Sequence, residues 1–272
     1  MRILIRTSKW AIWARRLGSF ALPLAVIPIF LHRDRLITSA DFHIIELVAA
    51  GFALLALILA MGAFARLWVT GDQGWARATF GLIFSLICLL PMVFVAWLAF
   101  HYPAATDVST STGTPLPLVS STGRMLTTAD HAEIEVDFPN ARTRSYPIEA
   151  GQMFEIVEQL AAANGWEPRA RRAPTTPLDT GTFNGIATTL LGWRDEVAVR
   201  VQGTPNGSDV DMRSAAMHGW SDLGENGRRI EQFLLALDAR ITLMLRDAPQ
   251  TPAPAPETDT GAPAVTEEET PG

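Results

Sequence analysis

The stretch LVAAGFALLALILAMGAFA, residues 47–65, carries no charge, and Glu46 and Arg66 bracket it. A helix needs about 20 largely apolar residues to cross a hydrocarbon core, because each adds about 1.5 Å and its backbone must be satisfied internally. This run reaches that length and ends at Trp68, a residue that suits the membrane interface. A second run, ATFGLIFSLICLLPMVFVAWLAF over residues 78–100, meets the same condition between Arg77 and His101-Tyr102. Lipid is therefore the expected solvent for the first part of the chain.

Upstream, residues 17–31 form a shorter run with Pro23 and Pro28, extendable to Trp10 if Arg15 and Arg16 reach for headgroups. A basic arm before an apolar core also has the pattern of a signal peptide, but the run passes into His32-Arg33-Asp34-Arg35, and Thr38-Ser39-Ala40 is a poor cleavage site. An uncleaved first span is expected. Arg2, Arg6, Lys9, Arg15 and Arg16 precede it and Arg66 and Arg77 flank the second loop, against Arg33 and Arg35 in the first loop. The positive-inside rule then puts both cationic ends in the cytoplasm and, by odd parity, the C-terminal domain in the periplasm of a bacterial inner membrane. An interfacial first helix would reverse that parity. No charge lies mid-span, which argues against an ion path, and Pro91 reads as a tolerated kink.

The chain divides as residues 1–100, a transmembrane helical region of about three spans; 101–123, a Ser/Thr/Pro connector; 124–247, a soluble α+β domain; and 248–272, a disordered acidic Pro/Ala/Thr/Glu tail. Alternation of Ile134, Val136 and Phe138 predicts a strand over 132–138. Met153, Phe154, Val157, Leu160 and Ala161 recur at helical spacing and stop at Gly165. Strands are predicted over 182–189, 196–201 and 209–214, the last two joined by a turn in Gly203-Thr204-Pro205-Asn206-Gly207-Ser208. A final helix over 223–246 carries Ile230, Phe233, Leu234, Leu237 and Ile241 on one stripe, and Asp222 and Glu225 have capping-box spacing at its start. The fold expected is an N-terminal helical bundle and an antiparallel sheet with two helices on one face.

Asp209-Val210-Asp211-Met212-Arg213-Ser214-Ala215, Gly219, Ser221-Asp222-Leu223-Gly224-Glu225-Asn226 and Arg228-Arg229-Ile230 resemble the signature of the bacterial family called domain of unknown function 1499. Gly165-Trp166, the run from Gly192 to Val197, Val199-Arg200-Val201 and Asp107-Val108-Ser109-Thr110 extend the resemblance over about residues 101–240. Ala216-Met217 stands where many relatives have Ser-Arg, and Asn184-Gly185 where they tend to have Glu-Ala. The resemblance implies a fold and a membrane setting, not a reaction.

A net charge of -6 argues against nucleic acid as a partner, since phosphate binding needs clustered cations on one face. Arg169, Arg171 and Arg172 read as a solvated strand or loop edge. Cys88, the single cysteine, lies in an apolar run and reads as buried, not reactive. The five histidines lack metal-ligand spacing, so no metal and no cofactor is expected; His218 alone lies near the last helix. Ser214 and Ser221 lack a nucleophile elbow, and Asp195 and Glu196 face opposite sides of a strand.

One candidate ligand site remains. Arg213, Asp222, Gly224, Asn226, Gly227 and Arg229 surround the start of the last helix, where unpaired amides and glycines could admit an anionic group. The competing reading gives the glycines to helix-sheet packing and pairs Arg213 with Asp222. The function expected is a membrane-anchored binding or interaction module whose partners are membrane lipid and other membrane or envelope proteins. The alternative is an enzyme acting on an anionic envelope substrate at that helix start, and a third is a structural helper needing only its helices.

Overall fold

The computed structural model describes residues 6–102, 105–111, 113–114, 116–119, 128, 131–217 and 221–247. The acidic tail, His218, Gly219 and much of the connector lie outside the described residues. Three long helices come first: α1 (Lys9–Arg33), α2 (Ser39–Thr70) and α3 (Trp75–His101), each long and apolar enough to cross a membrane. Their packing is small-in, large-out. Ala11, Ala14, Gly18 and Ala21 of α1 meet Ala53, Ala60 and Ala63 of α2 and Ala78, Gly81 and Cys88 of α3 at the buried seam, while Leu47, Ile58, Leu90 and Val93 face outward. That arrangement suits lipid, where association rests on close backbone packing and outward apolar groups lose nothing. Cys88 is buried in the seam, as expected.

Each helix end has a local cause. The Thr38 hydroxyl accepts from the Asp41 amide while Asp41 accepts from the Thr38 amide, a reciprocal cap, and Gly71 closes α2 in the left-handed region. The Thr38-Ser39-Ala40 tripeptide is thus a helix start. Next to the α3 entrance, Ser8 and Arg6 exchange backbone hydrogen bonds with Gln73, which ties the N-terminal arm to the second loop and sets α1 and α3 off from the same end of the bundle.

The rest is an open antiparallel sheet with helices. Strands β1 (Asp107–Ser109), β2 (Arg144–Tyr146), β3 (Glu167–Arg172), β4 (Thr180–Thr188), β5 (Arg194–Thr204) and β6 (Gly207–Ala216) take the order β1-β6-β5-β4-β3, with β2 also on β6. The β5–β6 hairpin turns at Pro205-Asn206, in register from Thr204↔Gly207 to Asp195↔Ala216. Alternation puts Phe183, Val197, Val199, Val201, Val210 and Met212 on one face, covered by α5 (Ala150–Ala163) and α6 (Glu225–Asp247). The expected stripe of Ile230, Phe233, Leu234, Leu237 and Ile241 is buried against it, and Gly165 ends the α5 segment at φ 70°.

Two readings change. Residues His131–Asp137 form α4, not a strand: Ile134 and Phe138 are buried four residues apart, whereas Val136 is 80% exposed. The stretch read as a connector contributes β1, and residues 116–119 lie on the sheet face opposite the helices, where the Pro117 carbonyl accepts from Asn184 and the Val119 amide donates to Glu196. β3 is an exposed edge strand, and its arginines find carboxylates: Arg169 on Glu167, Arg171 on Glu158 and Arg172 on Asp179. Charges along an open edge deter pairing with another chain.

Candidate functional site

Arg213 and Ser214 are adjacent on β6 and so project from opposite faces of the sheet. The consequence divides the six candidate residues. On the face away from the helices, β1 lies antiparallel to β6 with Asp107 opposite Ala215, and the Asp107 carboxylate, 1% exposed, receives Arg213 Nε at 2.8 Å and Nη2 at 2.7 Å. Arg213 Nη1 donates to the Leu116 carbonyl at 2.6 Å. Beside it Arg200 pairs with Asp211, which also accepts from the Thr110 and Thr143 hydroxyls. The two-pronged fork fixes the position of β1 as well as neutralising its charge. Arg213 therefore pairs with Asp107 and not with Asp222, as the competing reading had it.

On the helix face, Asp222, Asn226 and Arg229 do come together. Arg229 donates to Asp195 Oδ2 at 2.7 Å, to Ser214 Oγ at 2.9 Å and to Asn226 Oδ1 at 2.8 Å. Ser214 Oγ donates to Asn226 Oδ1 at 2.7 Å, and Asn226 Nδ2 donates to the Thr106 carbonyl at 3.2 Å. Burial makes each of these bonds matter, because a polar group lost from water must find a partner in the protein. Asn226 and Ser214 are both 0% exposed.

Asp222 caps α6. Its carboxylate accepts from the Gly224 amide at 3.0 Å and the Asn226 amide at 2.9 Å, while its own amide donates to the Ala105 carbonyl. The reciprocal half of the expected capping box is absent, because Glu225 faces Arg228 and Arg229 instead of the Asp222 amide. Burial raises the Asp222 pKa above the ordinary aspartate value, and the negative charge of Asp195 adds to this; the two capping amides and Arg229 oppose it. The Gly224 and Asn226 amides, which could have met an anionic ligand, are thus engaged by a side chain of the same chain.

Both glycines admit aromatic rings. A Cβ on Gly224, whose φ is 77°, would lie 2.5 Å from the Tyr102 ring, and one on Gly227 would lie 2.4 Å from the Phe138 ring. Tyr102 and Phe138 stack with centroids 5.5 Å apart, and the Arg228 guanidinium sits 5.3 Å above Tyr102. Tyr102 is the residue after α3, so the start of α6 is also where the N-terminal helices grip the domain. On the opposite sheet face, the cavity lined by Leu116, Pro117, Asn184 and Arg200 measures about 20 Å³, room for one water. Among the described residues no cluster of three or more His, Cys, Asp or Glu could hold a metal.

Sequence reasoning missed Asp107 and Asp195 as the anions of the two clusters. The available signal was that Arg213 on a strand with buried neighbours requires a counter-charge, and Asp107 was the acid in the one connector segment that carried the family resemblance.

Residues 107–237 match the family model described as Protein of unknown function (DUF1499). The match supports the resemblance carried by the Arg213 to Arg229 block. The DUF1499 stretch opens at Asp107 and closes on the buried stripe of α6, so it contains every ion pair of the two clusters and leaves the three long apolar helices outside. No curated protein and no solved structure matches the chain significantly.

Proposed function

We propose that this chain is a membrane-anchored bacterial envelope protein without catalytic activity, whose DUF1499 domain binds an envelope component or another membrane protein. The observation that carries the reading is that Arg213, Asp222, Asn226 and Arg229 are engaged by Asp107, Asp195, Ser214 and backbone amides of the same chain. Charged groups satisfied in this way position β1 and α6 and leave little to recognise a substrate. The enzyme reading would need those groups to converge on an open concavity, and Arg213 lies across the sheet from the other three.

The inner membrane and the periplasm belong to this proposal. Support comes from the distribution of arginine and lysine toward the N-terminal arm and second loop. It also comes from the contact between the first loop and the domain, which puts both at one end of the bundle: His32 hydrogen-bonds the Leu191 carbonyl at 2.8 Å. A fluorescent protein fused after Gly272 should stay dark and an alkaline phosphatase fused there should be active. For function, the full chain in detergent should show no turnover of phosphate or carboxylate esters of envelope lipids. Cross-linking in intact membranes should capture a partner through the domain surface. Ester turnover abolished by Asn226→Ala would install the enzyme instead.

A further inference from the structure

Ile12, Arg15, Arg16 and Ser19 are three and four residues apart and share one face of α1. The neighbouring face of that helix is the small-residue seam. A Cβ added to Gly81 would lie 2.7 Å from the Ala14 backbone, and one added to Gly18 would lie 3.1 Å from the Gly81 carbonyl oxygen. Backbones so close leave the long side chains beside the crossing to wall a crevice. Its lining is Ile12, Arg15, Arg16 and Ser19 with Arg77 of α3, and its volume is about 300 Å³.

Three arginines thus line one opening near the common starting end of α1 and α3. Among the described residues no carboxylate pairs with any of them. Arg15 lies 5.8 Å from the Phe80 ring centre and Arg16 lies 5.4 Å from that of Trp13, so aromatic faces support the cations without neutralising them. Trp10, Trp13 and Trp75, each 45 to 52% exposed, mark the headgroup level at the same end.

We propose that the crevice between α1 and α3 binds the phosphate headgroup of an anionic phospholipid, with Arg15, Arg16 and Arg77 as its ligands. Charge complementarity selects the occupant. Three cations at headgroup depth repel one another until an anion arrives, and a planar guanidinium presents paired N–H donors to phosphate oxygens. Basic pockets between transmembrane helices recognise lipid phosphates in this way. A zwitterionic lipid brings its own cation into the crevice and is disfavoured.

The test uses the full chain in a neutral detergent, where membrane orientation plays no part, with retention of phosphatidylglycerol read by native mass spectrometry. R15Q/R77Q, which removes two of the three cations, should lose retention at least about tenfold. K9Q/R66Q, which removes the same charge outside the crevice, should retain as wild type does, and R15K/R77K should recover part of the loss. Unchanged helix content in all variants excludes unfolding as the cause. Displacement of the lipid by millimolar inorganic phosphate keeps the phosphate site but makes a soluble phosphate its natural source. Equal retention by R15Q/R77Q and K9Q/R66Q, or retention of phosphatidylcholine equal to that of phosphatidylglycerol, overturns the proposal.

Discussion

Arg229 and Asp195 retain 10% and 5% of their side-chain exposure, which makes their pair expensive to break. Removing one member of a buried ion pair costs about 3–5 kcal/mol, because the other charge stays in a medium that cannot solvate it. Arg229→Ala should lower the unfolding free energy of the domain by about that amount, measured by denaturant titration of the full chain in detergent. Arg229→Lys should fall between the two, since an ammonium keeps the charge but cannot reach Asp195, Ser214 and Asn226 with one planar fork. Replacing both members, as in Arg229→Met with Asp195→Leu, should recover much of the loss. A ligand site would behave differently: stability would hardly move in Arg229→Ala, and binding would vanish. Neither partner was legible in advance from the Arg229 neighbourhood. Asp195 precedes it by a strand, a hairpin and a helix cap, so only the β5–β6 register, with Asp195 opposite Ala216, brings them together.

The cap of α6 shows how an element can be read correctly while its chemistry is misassigned. Asp222 was recognisable from its place before an apolar stripe, and it does hold the first amides; Glu225 was assigned to the other half of the motif, but two arginines one turn on take its carboxylate. Asp222→Ala should cost about 1 kcal/mol, and Asp222→Asn only a few tenths, since an amide oxygen caps as well. The pH dependence has a definite sign. The folded pKa of Asp222 is raised by burial, so its contribution to stability is fully present below the unfolded value near 3.8 and is lost as pH rises through the higher folded value. Wild type should therefore gain on Asp222→Asn as pH falls through the carboxylate range, a trend checked by unfolding both proteins across that range. Period made most other elements legible: β5 and β6 alternate, while α5 and α6 repeat at helical spacing. The segment Ile134 to Phe138 satisfies both templates, because its outer residues are two alternations and also about one helical turn apart. What decided for the helix was the exposure of Val136, a tertiary fact that no window of seven residues contains.

Among the described residues, the domain is held to the N-terminal helices at two places, and neither could be read from periodicity. Tyr102 leaves α3 and enters the space kept open by Gly224, against Phe138. At the other place the turn after β4 meets the first loop. The Trp193 ring sits 5.0 Å from His32, 5.3 Å from Phe42 and 5.8 Å from His43, and His32 links the Leu191 carbonyl to the Ser39 hydroxyl. Gly192, at φ 93°, lets that turn approach so closely that a Cβ there would stand 2.7 Å from the Arg33 Cα. The Arg35–Glu167 pair at 3.9 Å is exposed and adds little. Because α3 ends only a few residues before β1, the tether keeps the two surfaces at high effective concentration, and modest contacts suffice to hold them docked. Trp193→Ala removes the ring shared by three partners and should release this contact while the other persists. Amide exchange should then quicken in residues 32–43 and 189–194 but not in the β5–β6 core or α5, whose cluster lies away from the contact. Gly192→Ala should act in the same places by forcing the turn off Arg33. Unchanged exchange in both variants would mean that the turn merely lies beside the loop and does not hold the domain to it.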